Sequence, residues 1–448
     1  MRSIARLIVA LMITLTGALA ARAVETPYIV VDMESGRVLS QRNPNQLWYP
    51  ASVTKLMNAY VVFKALKAGE VSLATRVVVS KNALAEPPSK MGFKVGTAID
   101  LDNAMKMMMV HSSNDIAVAV AETVGGSEAA FVGRMNAEAA RLGMASTHFV
   151  NPNGLPGAGQ HTTARDLGVL ARAIWLEFPG WRPIFSITAI KSGKRVLKSA
   201  NNLLERYPGT VGMKTGFICA SGFNVVAAAQ RGDRTLIAVV LGMDNPTDRA
   251  ELAGRLFNDG FSGRSHPGPT LASLRGSSPV AETIDMTQAI CKRKNRGEHD
   301  PADTEVEQVS ALVPKFKLMD PVVVSTLGVV KPDGTVNATA STEPDAAAPA
   351  AKKATAKKTA KKTTKPAAKA TAKATAKTQP ATPDAATGDG APTADAANAD
   401  AATPAAVPAS AGSKAVKKKA VKAPANIEIG VPFDSTDVAP LPEAGGLH

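Results

Sequence analysis

The stretch Ser52-Val53-Thr54-Lys55 stands at the start of an apolar run over residues 56–66, which predicts a helix. Residues three apart share one face of a helix, so we expect the Ser52 hydroxyl and the Lys55 amine to meet. A serine hydroxyl is a weak nucleophile unless a base lies within hydrogen-bond reach. Lysine serves as that base only when it is neutral, a state that burial or a second nearby cation favours. An S-x-x-K pair occurs by chance in many helices, so it needs support from elsewhere in the chain.

Two later motifs provide that support. Ser112-Ser113-Asn114 lies between two predicted buried helices and offers a hydroxyl that can relay a proton and an amide that can hold a carbonyl. Lys214-Thr215-Gly216 opens a predicted apolar strand pair over residues 223–229 and 235–241. A strand beside the nucleophile offers backbone N–H groups to a peptide, and Gly216 permits close approach. Three such motifs in this order predict one active site with Ser52 as its nucleophile.

The fold is predicted to be α+β. Strands at both ends of residues 24–262 flank a series of helices, which favours one antiparallel sheet assembled from both ends with a helical cluster against it. A hairpin is predicted over residues 28–40, with its turn at Ser35-Gly36. The predicted helices cover residues 52–68, 102–110, 114–124, 128–142, 163–176 and 248–258.

The flanking segments differ from this globular part. Residues 1–23 combine basic residues, a short apolar run and a small-x-small site, which is typical of a signal peptide; an uncleaved anchor is the alternative. We therefore expect export to the periplasm, with the protein soluble or peripheral to the envelope. Residues 263–335 have short apolar stretches and predict a partly ordered extension.

The C-terminal segment, residues 336–448, is rich in Ala, Lys, Pro and Thr and is predicted to be disordered. Its lysine clusters are the main source of the net charge of +14. The export signal argues against nucleic acid as the partner and favours an acidic envelope surface. A solvated spacer without a partner is the alternative.

The resemblance to a known family rests on three further segments besides the motifs. These are Asn151-Pro152-Asn153-Gly154-Leu155, residues 161–167 and residues 211–223. The segment over residues 28–261 resembles the low-molecular-mass penicillin-binding proteins that act as serine-type D-alanyl-D-alanine carboxypeptidases. Many members add a small β-domain and an amphipathic membrane-binding helix; neither is recognisable here after residue 261.

The resemblance implies a role for each motif residue. Ser52 attacks the peptide carbonyl between two terminal D-alanines of a peptidoglycan stem peptide, and Lys55 accepts its proton. Ser112 relays a proton to the leaving amine, while Asn114 orients the substrate and Lys55. β-Lactam antibiotics would acylate the same serine.

The resemblance also implies that the Lys214-Thr215-Gly216 motif and Arg249 bind the substrate. The backbone N–H groups of Ser52 and Phe217 would form an oxyanion hole. Thr215 and Arg249 would hold the terminal carboxylate, with a surface arginine as the alternative for Arg249. The implied substrate-binding residues are Lys214, Thr215, Gly216, Phe217 and Arg249.

Three alternative functions are compatible with the same fold or the same residues. A class A β-lactamase also needs a deacylating glutamate, and no E-x-x-L-N segment lies between Asn114 and Lys214. An endopeptidase would use the same residues, and a wall-binding protein would keep the fold without catalysis. The histidines and cysteines show no metal-ligand spacing, so no metal and no cofactor are predicted.

Cys219 and Cys291 are the only two cysteines. Since an exported protein enters an oxidising compartment, we expect a disulfide between them, with two free thiols as the alternative. The bridge would hold the segment around Cys291 beside the active site.

Overall fold

A five-stranded antiparallel sheet is built from both ends of the globular segment. The structure is a computed structural model that describes residues 25–263, 268–274, 282–292 and 310–339. Its strands are β1 (Tyr28–Asp32), β2 (Val38–Arg42), β3 (Arg76–Val78), β4 (Thr97–Asp100), β5 (Ala189–Ser192), β6 (Arg195–Lys198), β7 (Thr210–Ile218), β8 (Gly222–Arg231), β9 (Arg234–Met243), β10 (Val322–Val324), β11 (Gly328–Val330) and β12 (Val336–Asn337). The large sheet has the order β2-β1-β9-β8-β7, so the first and last parts of the segment pair directly. The predicted α+β class is confirmed.

The predicted helices form with small shifts at their ends. The helices are α1 (Lys55–Ala68), α2 (Lys81–Ala85), α3 (Leu101–Val110), α4 (Asn114–Gly125), α5 (Glu128–Arg141), α6 (Ala164–Glu177), α7 (Pro246–Phe261) and α8 (Thr287–Cys291). Side chains of Ser127, Thr163 and Asn245 accept hydrogen bonds from the first-turn N–H groups of α5, α6 and α7, which fixes where these helices begin. α1 ends at Gly69, whose φ of 73° closes the helix in the left-handed region.

Both faces of the large sheet are covered. Ile29, Val31 and Val239 point into the core shared with α1 and α3–α6, whereas Val30 and Val240 pack against α7. This alternation follows from the period of two along a strand. α6 lies close to the sheet, since a Cβ on its Gly168 would come within 3.6 Å of Ile29. The sheet is thus the middle of three layers, with α7 on its second face.

Two smaller sheets recruit strands from the end of the described chain. One has the order β12-β11-β4-β3 and the other β10-β5-β6. β10 runs parallel to β5, with Val322 opposite Ile190. Two short strands within residues 310–339, β10 and β11, therefore pair with strands of the globular segment. The boundary predicted between residues 335 and 336 falls between β11 and β12. These two strands pair with each other, with Val330 opposite Val336.

Some sequence expectations fall outside the described residues. The predicted signal peptide at residues 1–23 does, as does the predicted tail from residue 340 onward. Within the described part of the chain, no single helix has the length and apolarity to cross a bilayer; α4 and α5 meet that criterion only as a pair, with a bend of 85° between them.

Candidate active site

The turn before α1 presents Ser52 to Lys55. Residues Ala51–Thr54 form a 3-10 helix, and the α-helix begins at Lys55 instead of Ser52 as predicted. In a 3-10 turn, residues three apart are eclipsed, so the change of helix type brings the two side chains into line. The Lys55 Nζ lies 3.0 Å from the Ser52 Oγ. Ala51, directly before the serine, has a φ of 49°, an uncommon conformation for a residue with a Cβ.

Lys55 is completely buried and has three hydrogen-bond partners. Besides Ser52, its Nζ donates to the Asn114 Oδ1 at 2.7 Å and to the backbone oxygen of Asn153 at 2.8 Å. Burial lowers the pKa of Lys55 well below its usual value, and the positive charge of Lys214 lowers it further. A neutral amine retains two N–H donors and gains a lone pair. Lys55 can therefore donate to Asn114 and Asn153 while its lone pair accepts the Ser52 proton.

Asn114 is held from both ends of its amide. Its Oδ1 accepts from Lys55, while its Nδ2 donates to the backbone oxygen of Pro87 at 2.9 Å. Its backbone N–H donates to the Ser89 oxygen at 2.7 Å. The amide is thus oriented toward Lys55 by the loop that follows α2.

Lys214 lies in the middle of β7, which pairs with β8. The predicted strand pair was therefore incomplete, because the Lys-Thr-Gly motif belongs to a third strand at the edge of the large sheet. The Lys214 Nζ donates to the Ser112 Oγ at 2.9 Å, and Ser112 sits after α3 with a φ of 64°. Burial lowers the pKa of Lys214 to about 7, and the charge of Arg249 acts in the same direction.

Gly216 is the point where β7 passes closest to the nucleophile. A Cβ at this position would lie 2.9 Å from the Ser52 backbone nitrogen and 3.0 Å from the Pro50 oxygen. Any larger residue would push β7 away from the turn. Ser52 is the second residue of the 3-10 turn. Because the first N–H groups of a helix have no partner within the helix, the Ser52 N–H makes no hydrogen bond within this turn.

The remaining predicted substrate-binding residues differ in exposure. Thr215 is buried, whereas Phe217 is 42% exposed. The Phe217 ring stacks on that of Phe223, with ring centroids 4.2 Å apart. Arg249 is only 3% exposed, so the alternative of a surface arginine is wrong. Its guanidinium donates to the Ala200 oxygen at 3.1 Å, and more weakly to the Asn224 oxygen at 3.4 Å.

Asn153 and Gly154 also belong to the site, although no role was predicted for either of them. Gly154 has a φ of 88°, and a Cβ there would lie 1.8 Å from the Ala51 oxygen. Only glycine fits between this loop and the nucleophile turn. The available signal was the Asn-Pro-Asn-Gly segment itself, a turn-forming composition whose position beside Ser52 depends on tertiary structure.

A disulfide joins Cys219 to Cys291, with their Cα atoms 5.7 Å apart. It fastens the end of α8 to the turn between β7 and β8. The Met286 N–H also donates to the Ala220 oxygen at 3.0 Å, and the indole N–H of the buried Trp48 donates to the Ser221 oxygen at 2.9 Å. Residues 282–292 thus pack beside the strand that carries Lys214. In the described residues, no three His, Cys, Asp or Glu side chains are grouped as metal ligands.

The same segment of the chain matches known proteins. The D-alanyl-D-alanine carboxypeptidase family model matches residues 16–245, more than half of the chain. The chain is 36% identical over 255 residues to the D-alanyl-D-alanine carboxypeptidase DacC of Escherichia coli K12, covering 54% of this chain and 64% of that protein. It is 35% identical over 249 residues to DacB2 of Mycobacterium tuberculosis, covering 52% of this chain and 81% of that relative. The match to DacC thus spans slightly less than two thirds of that relative.

Solved structures give the same result for the fold. The carboxypeptidase DacD of Francisella tularensis superposes with a TM-score of 0.52 at 28% identity, covering 55% of this chain and 72% of the other. Penicillin-binding protein 5 of Haemophilus influenzae gives 0.51 at 31% identity, covering 55% and 73%. With the family model and these relatives matching the segment that carries Ser52, Lys55 and Lys214, the chain belongs to the D-alanyl-D-alanine carboxypeptidase family.

Proposed function

We propose that this protein is a serine D-Ala-D-Ala carboxypeptidase that removes the terminal D-alanine from peptidoglycan stem pentapeptides and is inhibited by penicillins. The observation that carries the proposal is the buried Lys55 amine, 3.0 Å from the Ser52 hydroxyl and next to a second buried lysine. Burial and that second charge both favour the neutral amine that a general base requires. Such a pair is suited to generate a serine nucleophile near neutral pH.

Acylation follows from these positions. The Lys55 lone pair takes the Ser52 proton as the Oγ attacks the carbonyl carbon of the last peptide bond. The negative charge that develops on the carbonyl oxygen is stabilised by the N–H groups of Ser52 and Phe217. The peptide C–N bond then breaks, and Ser112 relays to the departing amine the proton that Lys55 took from Ser52. D-Alanine leaves with its amino group complete, and Lys55 is neutral again.

Deacylation uses the same base. Water attacks the ester carbonyl, Lys55 accepts a water proton, and the Ser52 oxygen recovers its proton as the shortened peptide leaves. Lys214, Thr215 and Arg249 supply the positive charge and the hydroxyl that attract the terminal carboxylate of the substrate. Because Gly216 lies against the nucleophile turn, a peptide paired with the free edge of β7 would place its carbonyl near Ser52.

One experiment tests this assignment against the rival activities. The full exported protein is incubated with a fluorescent penicillin and, separately, with a peptide ending in D-Ala-D-Ala. We expect a long-lived covalent adduct and release of free D-alanine. Rapid penicillin hydrolysis without D-alanine release would identify a β-lactamase, cleavage only of cross-linked dimers would identify an endopeptidase, and binding without either reaction would identify a wall-binding protein.

We also propose that the protein is exported to the periplasm and that its lysine-rich tail binds an acidic envelope surface. The tail cannot bury a core, and β12 ends at Asn337.

A chain truncated after Thr339 is therefore expected to cleave soluble peptide at the rate of the full protein. It should bind isolated cell walls more weakly at low salt, with the difference vanishing as salt increases. Equal retention of both proteins across the salt series would identify the tail as a spacer.

A further inference from the structure

Glu86 lies immediately after α2, half-buried at the edge of the active site. Its carboxylate Oε2 accepts a hydrogen bond from the Asn153 Nδ2 at 2.9 Å. It belongs to the same loop that supplies the Pro87 oxygen to Asn114. None of the roles assigned above uses this carboxylate.

Asn153 connects Glu86 to the catalytic base. Only 1% of Asn153 is exposed, and its backbone oxygen accepts from the Lys55 Nζ at 2.8 Å. Its side-chain oxygen accepts from the Leu155 N–H at 3.0 Å. Both ends of the Asn153 amide are therefore bonded, and Glu86 is the partner of its NH₂ group.

The charges around this group oppose one another. Lys55 faces the positive Lys214 on β7, and it faces the negative Glu86 and Asp115, the latter on α4. Glu86 faces Lys55, Asp115 and the Glu128 carboxylate on α5. Lys214 destabilises the protonated form of Lys55, whereas Glu86 stabilises it. Burial and Lys214 both lower the pKa of Lys55, and Glu86 opposes them.

We propose that Glu86 is a positioning residue for acylation: it fixes Asn153, whose backbone oxygen holds the Lys55 amine toward Ser52, and its negative charge offsets part of the positive charge of Lys214. This inference rests on the proposed function, because it assigns to Lys55 the role of base. Glu86 itself does not contact the reacting atoms.

The substitution Glu86→Gln separates the charge from the hydrogen bond, since glutamine keeps an acceptor for the Asn153 NH₂ group. Without the negative charge, the pKa of Lys55 falls further, and the neutral amine persists to lower pH. The acidic limb of the pH profile for penicillin acylation is therefore expected to move to lower pH. The plateau rate at higher pH should stay within about twofold of wild type.

Glu86→Ala removes both contributions. We expect the same shift of the limb and a plateau lowered by roughly tenfold, because Asn153 loses the partner that orients it. Glu70→Gln is the matched control, since Glu70 is an exposed acid paired with Arg134; its profile should coincide with that of the wild type. Thermal unfolding of each variant shows whether it is folded.

The outcomes separate this inference from the function on which it rests. An acidic limb in Glu86→Gln that coincides with wild type, in a folded protein that is acylated, overturns the positioning role alone. A wild-type protein that forms no penicillin adduct overturns the proposed function and this inference with it. A shifted limb in Glu86→Gln, and a lowered plateau only in Glu86→Ala, establish the two parts of the role.

Discussion

Replacing Ser52 by alanine is expected to abolish covalent labelling by penicillin, because the ester forms on the Ser52 Oγ. Replacing Lys55 by alanine should lower the acylation rate constant by roughly 10²- to 10⁴-fold, the usual contribution of a general base. The two residues act as one unit, with their reacting atoms 3.0 Å apart, so the double variant should be no worse than Ser52→Ala. Stopped-flow measurement with a fluorescent penicillin gives these rate constants.

Matched controls come from the same part of the chain. Lys67 is another lysine on α1 and is exposed, and Ser35 is an exposed serine in the β1–β2 turn. Alanine at either position should leave acylation within about twofold of wild type, since surface substitutions are usually of small effect. Near-normal acylation in Lys55→Ala would show that another group is the base.

The second large effect is expected at Gly154. In Gly154→Ala the new Cβ would lie 1.8 Å from the Ala51 oxygen and 2.8 Å from the Thr54 Oγ1, so the loop and the nucleophile turn must separate. We expect the free energy of unfolding to fall by about 3 to 5 kcal/mol. The acylation rate constant should fall by roughly 10²-fold, because displacing Asn153 also displaces Lys55.

Gly126→Ala isolates the effect of overlap from that of backbone conformation. Gly126 also has a positive φ, of 75°, but a Cβ there would meet no atom within 4 Å. This control substitution should lower the free energy of unfolding by about 1 to 2 kcal/mol and leave the acylation rate constant unchanged. Denaturant unfolding and penicillin labelling of both variants provide the comparison, and equal losses of stability would contradict the steric explanation.

The long helices and the catalytic motifs were predictable because their signals are local. The apolar run after Lys55 and the caps at Thr163 and Asn245 lie within or next to the helices that they specify. Likewise, Ser52 and Lys55 meet because they are three residues apart. That Lys214 and Ser112 belong to one site, by contrast, was implied only by the order of the motifs and the resemblance that this order carries.

The short strands and the backbone ligand were not predictable in this way. β10 has three residues and pairs with β5, more than 100 residues earlier in the chain; its apolar composition does not identify that partner. Asn153 contributes to the site through its backbone oxygen, a group that every residue has. Similarly, Arg249 is buried by the packing of α7 against β8, which its position near the start of a helix does not reveal.

The pairing of β1 with β9 has a consequence for how the protein folds. Tyr28 pairs with Val240, so the central strand contact closes a loop of more than 200 residues, and such non-local pairings form slowly. A chain that ends before residue 234 lacks β9 and cannot complete the sheet that carries Lys214 on β7 and supports the turn that holds Ser52. The active site is therefore assembled late in folding, after nearly the whole globular segment has emerged.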